Sequence, residues 1–254
     1  RDPATKEPSA HNTAAPGNGQ PAAPLPRARN TAARSRVGTA VQIEIWSDVV
    51  CPWCAIGRAR FNKALAAFEH RDEVQVRWRS FELDPQAPRE PDGVDLVDHL
   101  ATKYGIPREQ ALAMNQRVTE SAAAEGLEFR LDRAQRGATF DAHRVLHLAA
   151  DRGVQDAVKD RFFRAYFTEG ARISDPDVLA ELAAEAGLDA AEVREVLAGD
   201  RYAAQGRADQ AQARAYGITG VPFFVLDRRY GISGAQPPAV LLEALQMASR
   251  PEAA

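Results

Sequence analysis

Apolar and polar side chains alternate through Val41-Gln42-Ile43-Glu44-Ile45-Trp46, the two-residue period of a β-strand. The period then lengthens. Ile56, Phe61, Leu65 and Phe68 recur at helical spacing, so a strand hands over to a helix around Ser47-Asp48-Val49-Val50-Cys51-Pro52-Trp53-Cys54. Val74, Val76, Trp78 and Ser80 alternate again and end near Phe81-Glu82-Leu83-Asp84-Pro85. Strand, helix and strand in this order predict a βαβ unit with parallel strands.

From about Val94 to Gly199 the chain turns rich in Ala, Glu and Arg, with a 3.6-residue period interrupted by Gly and Pro. This pattern predicts helices over 95–104, 108–125, 140–151, 155–168, 176–186 and 190–197, and another over 201–216. Ser174-Asp175-Pro176 and Asp189 have the chemistry of helix starts, and Gly105, Gly126, Gly153, Gly170 and Gly187 that of helix stops. No internal repeat of fixed period is visible. Strand character returns in Phe223-Phe224-Val225-Leu226 and Tyr230-Gly231-Ile232-Ser233-Gly234, joined across Asp227-Arg228-Arg229 as a hairpin. Pro237 and Pro238 open a last helix with Val240, Leu241, Ala244, Leu245 and Met247 on its apolar face. The two strand-bearing halves must share one sheet. The predicted class is therefore α/β, with an all-helical insertion at 93–199 splitting a sheet domain into 41–92 and 200–250.

Composition narrows the picture. The 254 residues are 45% hydrophobic and 26% charged with a formal net charge of -3, ordinary for a globular chain. That balance gives no electrostatic case for nucleic acid or a membrane surface as partner, and no apolar run approaches transmembrane length. Residues 1–40 are rich in Pro, Ala, Asn and Arg and poor in large apolar side chains, so this tail is expected to be disordered. Six basic residues there face two acidic ones, but no aromatics interleave them, which favours a solvated linker over a nucleic-acid arm.

The two cysteines stand at Cys51 and Cys54. Cysteines at i and i+3 in a first helical turn lie ~5–6 Å apart, within disulfide reach. A thiolate at a helix N-terminus is stabilised by unfilled backbone N–H groups and by the macrodipole. Pro52 suits that turn because its missing N–H has no intrahelical partner to lose. These demands predict Cys51 as the attacking sulfur and Cys54 as the resolving one. As a structural disulfide the pair closes too short a loop to stabilise much. As a zinc site it needs two further ligands, which His143 and His147 at i, i+4 could supply, though compact zinc modules use far shorter spacings. Redox chemistry without a metal is the favoured reading. A second site is Gly220-Val221-Pro222-Phe223, where a proline enters a strand. A cis Val221–Pro222 bond opposite the cysteines leaves Val221 backbone groups for an extended substrate.

Taken together, Ser47-Asp48-Val49-Val50-Cys51-Pro52-Trp53-Cys54, Thr139-Phe140-Asp141-Ala142-His143-Arg144 and Gly220-Val221-Pro222-Phe223-Phe224 resemble the DsbA family of thioredoxin-like oxidoreductases, most closely its FrnE-like branch. The resemblance runs from about Val41 to Ala248. It implies a thioredoxin-like fold carrying a helical insertion, Cys51 as nucleophile, Cys54 as resolver, Pro222 as cis-proline, and no haem, flavin or metal. The kappa glutathione transferase and hydroxychromene-carboxylate isomerase group is similar in architecture. It typically has Ser at the position of Cys51 and uses glutathione, so a low-molecular-weight thiol as co-substrate stays an alternative. One departure stands out: Ile45 occupies the place where many thioredoxin-like proteins bury a carboxylate. Asp48 is the nearest substitute for proton transfer, with helix capping or a loop N–H as its plainer roles.

His143 is expected on the insertion face over Cys51, where an imidazolium would help hold a thiolate, with a packed histidine as the plainer reading. Trp53 and Phe140 are candidates to wall a substrate groove, core packing being the alternative. Arg144, His147, Phe162, Phe163, Tyr166 and Phe167 are expected as core or solvated face. The functional expectation is a thiol–disulfide oxidoreductase or isomerase acting on a disulfide-containing protein or small molecule and reset by a partner thiol. The rivals are a thiol-dependent isomerase of aromatic or polyketide-like compounds and a non-catalytic binding or chaperone module. With no visible secretory signal, the cytoplasm is the expected compartment.

Overall fold

The computed structural model describes residues 23–25, 41–90 and 92–250. The sheet is built outward from β2 (Val41–Ser47). On one side β2 pairs in parallel with β3 (Val74–Ser80), and on the other antiparallel with β4 (Phe223–Leu226), which forms a hairpin with β5 (Tyr230–Ser233). The hairpin turns through Asp227 (φ 49°) and Arg228 (φ 57°), closed by Arg229 N–H to the Leu226 carbonyl at 2.9 Å. Two successive left-handed residues give the twist that a tight hairpin needs. Beyond β5 lies the short edge strand β1 (Ala23–Pro24), so the order is β1-β5-β4-β2-β3. The expectation of a wholly disordered 1–40 is thereby corrected at 23–25. There Leu25 N–H reaches the Arg229 carbonyl, and the open edge of β5 supplies the donors and acceptors that composition cannot register. The rest of 1–40 lies outside the described residues.

The alternation in β2 predicts a half-buried strand, yet only Gln42 is exposed. Both faces are covered. Val41, Ile43 and Ile45 pack with Phe61 and Ala64 of α1 (Pro52–Ala66), with Phe68 just past its end, and with Leu241, Ala244, Leu245 and Ala248 of α9 (Pro238–Ser249). Trp46 faces the opposite core with the helical insertion. On that covered face Glu44 pairs with Arg79 and with Arg228.

The insertion runs α2 (Leu96–Tyr104), α3 (Arg108–Ala124), α4 (Phe140–Asp151), α5 (Gln155–Arg164), α6 (Pro176–Glu185) and α7 (Ala190–Ala198), and α8 (Ala203–Ala215) leads back to the sheet. Its boundaries have local causes. Asp95, Asp175 and Asp189 cap helix starts with their carboxylates. Gly105, Gly126, Gly153, Gly170 and Gly187 follow helix ends with positive φ. One expected helix, 155–168, departs: α5 ends at Arg164 and continues as a π-helical turn, Ala165–Glu169. Ala165, Tyr166 and Phe167 are all buried there.

Candidate active site

The chain leaves β2 at Ser47 and turns through Asp48 into α1. Cys51 holds the N-cap position in extended conformation (φ -87°, ψ 112°), with Pro52 as the first helical residue. No side-chain oxygen caps this helix. The side chain standing where capping oxygens usually do carries sulfur instead. Cys54 follows one turn on, its N–H 3.0 Å from the Cys51 carbonyl. Both thiols are free and buried, Cys51 at 3% exposure and Cys54 at 0%.

The loop before β4 completes the pair's surroundings. The Val221–Pro222 peptide bond is cis, and the Cys51 thiol donates to the Val221 carbonyl at 3.5 Å across 170 residues of sequence. Gly57 lets the two segments meet. A Cβ at that position would lie 2.9 Å from Pro222 Cγ and 3.5 Å from Ala235 Cβ. A side chain on that face of α1 would push the proline loop off the cysteines.

Asp48 is fully buried; its backbone N–H reaches the Cys54 sulfur, and its carboxylate does not cap α1. Its Oδ2 accepts Leu83 N–H at 2.8 Å, and its Oδ1 lies 3.3 Å from His143 Nε2, which also sits 3.2 Å from the Phe81 carbonyl. Burial opposes its charge, but His143, the Leu83 amide and Lys159 together hold the carboxyl below its ordinary range. His143 is thus a buried histidine engaged by Asp48 and a backbone carbonyl, not by the Cys51 sulfur that the sequence reading gave it. Burial pushes the Cys54 thiol well up, and the adjoining Cys51 sulfur adds to the effect.

The other candidates separate. Trp53 is half-buried against the apolar cluster that holds both cysteines. Phe140 sits outside that cluster, its ring under the Arg207 guanidinium at 3.8 Å, with Arg207 in turn on Glu82 at 2.7 Å. His147 pairs with Ser80 Oγ at 3.1 Å and Asp209 at 3.2 Å, in a buried network that also joins Arg79 and Glu44. The two imidazoles suggested as zinc ligands therefore each serve a carboxylate. Among the described residues no group of three or more His, Cys, Asp or Glu side chains is placed to hold a metal ion.

Three residues near the cysteines carried no functional reading from sequence. Lys159 of α5 is completely buried, and its charge is felt by Cys54 and Asp48. Tyr104 closes α2 near Cys51, and burial together with that sulfur raises its phenol. Arg58 of α1 binds Asp156 and Asp160 of α5 at 2.5–3.1 Å, fastening the cysteine helix to the insertion. Lys159 had a visible signal: it falls three and four residues before Phe162 and Phe163, on the apolar stripe of its helix.

A profile of the DSBA-like thioredoxin domain matches residues 42–246. A crystal structure from Streptomyces coelicolor, described as a "probable DsbA oxidoreductase", is 49% identical with a TM-score of 0.78, covering 84% of this chain and 93% of that one. The Bacillus subtilis protein YwbO is 30% identical over 190 residues, 73% of this chain and 86% of its own. The cytosolic disulfide reductase DsbM of Pseudomonas aeruginosa, solved with GSH, shares the fold at 22% identity and a TM-score of 0.58, over 81% of this chain and 98% of that one.

Proposed function

We propose that this chain, which belongs to the family of DSBA-like thioredoxin domains, exchanges disulfides through Cys51 and Cys54. The observation that carries the reading is the placement of Cys51: sulfur at an uncapped helix start, 3.5 Å from the Val221 carbonyl beside a cis-proline. In the forward direction the Cys51 thiolate attacks one sulfur of a substrate disulfide. The substrate S–S bond breaks, one substrate sulfur leaves as a thiolate, and a mixed disulfide with Cys51 remains. Cys54 then attacks the Cys51 sulfur, forms the internal disulfide and releases the second substrate thiol. Two thiols of a redox partner reset the pair: the first opens the Cys51–Cys54 disulfide as a mixed disulfide, and the second releases it as the partner's disulfide.

The substrate class we assign is a disulfide-bearing protein or small molecule, with Trp53 and the Val221–Pro222 segment meeting the chain around its sulfur. The hydrogen bond that the Cys51 thiol donates to the Val221 carbonyl supports that role, since it marks the carbonyl as within reach of whatever Cys51 holds. We place the reaction in the cytoplasm, where a catalytic dithiol rests reduced. Among the described residues no helix is long and apolar enough to cross a membrane.

The test is disulfide turnover by wild type, Cys51→Ser and Cys54→Ser. Turnover is expected to vanish in Cys51→Ser, and Cys54→Ser is expected to accumulate a mixed disulfide detectable by mass. Isomerisation of an aromatic substrate that needs only Cys51 and glutathione would move the protein to the thiol-dependent isomerase reading. Undiminished function in Cys51→Ser would make it a binding module.

A further inference from the structure

The resolving step asks Cys54 to shed a proton where its surroundings resist the charge. The sulfur is fully buried, and burial with the neighbouring Cys51 holds its thiol well up. A proton acceptor beside it is a chemical requirement of that step. Asp48 is poorly suited, because its carboxylate already accepts Leu83 N–H and faces His143.

Lys159 is differently placed. It has 0% exposure, and Nζ has no hydrogen-bond partner among the described residues. The amine lies over two aromatic rings, 4.9 Å from the Phe163 centroid and 5.5 Å from that of Trp78. A lysine buried for packing would normally bring a carboxylate or carbonyl with it, since an unpaired ammonium in a dry core is costly. The ionisable groups that face it are Cys54 and Arg58 of α1, Cys51 at its N-cap, Asp48 of the β2–α1 loop, and Asp156 of its own helix. Asp156 is committed to Arg58 and to the Trp78 indole N–H. Burial draws the Lys159 amine down to about 8, so a neutral, proton-accepting form exists near physiological pH.

We infer that Lys159, a residue of the helical insertion, takes up the Cys54 proton during resolution. The inference rests on the dithiol reaction proposed above. As the Cys54 sulfur attacks the Cys51 sulfur of a mixed disulfide, the Cys51–substrate bond breaks and its electron pair leaves with the substrate thiolate. The Cys51–Cys54 bond forms, and the Cys54 proton ends on the neutral amine, which becomes ammonium. In the reverse direction the ammonium returns that proton to Cys54 as the internal disulfide opens.

Stopped-flow reaction of the reduced protein with an aromatic disulfide separates the two steps. Release of the first coloured thiolate reports attack by Cys51, and release of the second reports resolution by Cys54. In wild type the second phase is expected to accelerate through a midpoint near 8 as the Lys159 amine loses its proton. Lys159→Met should slow that phase about a hundredfold at neutral pH and abolish the midpoint. Lys159→Arg should not restore it, because a guanidinium keeps the charge and cannot accept a proton. Asp48→Asn should retain a midpoint, moved lower because the Asp48 charge no longer supports the Lys159 ammonium.

Rescue by Lys159→Arg would overturn proton transfer in favour of charge alone. Loss of the midpoint only in Asp48→Asn would assign the proton to Asp48. Should the variants fail to fold, a wild-type second phase that is flat across that range overturns the inference by itself. Absence of the first phase would instead sink the dithiol reading.

Discussion

One helical turn separates two sulfurs whose surroundings ask opposite things of them. Cys51 meets uncapped amides and a backbone carbonyl, while Cys54 meets apolar side chains and a buried lysine. The division of labour we propose between attacker and resolver rests on that asymmetry. The buried charges also leave signatures in stability. Asp48 is held below its ordinary range, so its contribution is complete above that range and is lost as pH falls through it. Asp48→Asn is expected to lower stability at neutral pH and to flatten its decline in acid, read by thermal melts from pH 7 to about 3. Lys159 runs the other way. Its amine titrates near 8 in the folded protein against an ordinary 10.5, so between those values the unfolded chain binds the extra proton. Stability should therefore rise with pH across that window. The burden below it is on the order of 3 kcal/mol, and a methionine there would relieve it. A Lys159→Met melt no higher than wild type at pH 7 would contradict this account.

At the scale of elements, α1 serves as a lever between two neighbours. Gly57 brings it against Pro222, and Arg58 ties it to α5 through Asp156 and Asp160. Gly57→Ala is expected to destabilise by about 1–3 kcal/mol and to slow attack by Cys51, because the proline loop must retreat. Equilibrium denaturation alongside the first stopped-flow phase checks both. The insertion helices begin where the sequence puts carboxylates. Asp175 accepts Asp177 N–H at 2.9 Å, and Asp175→Ala should cost about 1 kcal/mol with no change in disulfide exchange. Turnover that falls with that substitution would show that α6 matters to the site directly. Helix starts, glycine stops and the β4–β5 hairpin were legible because each rests on residues close in sequence. The π-helical turn after α5 was not, since it answers to the packing of Tyr166 and Phe167 and to Arg130 N–H, which takes the Phe167 carbonyl at 2.6 Å.

Across the whole molecule, sheet and insertion are joined by buried polarity as well as by apolar packing. Asp209 of α8 accepts Ser80 N–H at 3.0 Å, meets Arg79 at 2.9 Å and faces His147 of α4 at 3.2 Å. Removing that carboxylate leaves Arg79 and His147 without it in the interior. Asp209→Ala is accordingly expected to lose about 3–5 kcal/mol in chemical denaturation, and a loss under about 1 kcal/mol would make the network ornamental. Local pattern was enough to set the α/β class, the split of the sheet by a helical block, and the Cys-Pro-Trp-Cys and Val-Pro segments. All of these are written in periodicity and in neighbours three or four residues apart. Tertiary structure alone decided that His143 serves Asp48, that Phe140 lies under Arg207, and that Lys159 stands by the dithiol. The physical reason is burial: a side chain's charge and partner depend on what the fold closes over it, and those groups come from far along the chain, 95 residues away for His143 and Asp48.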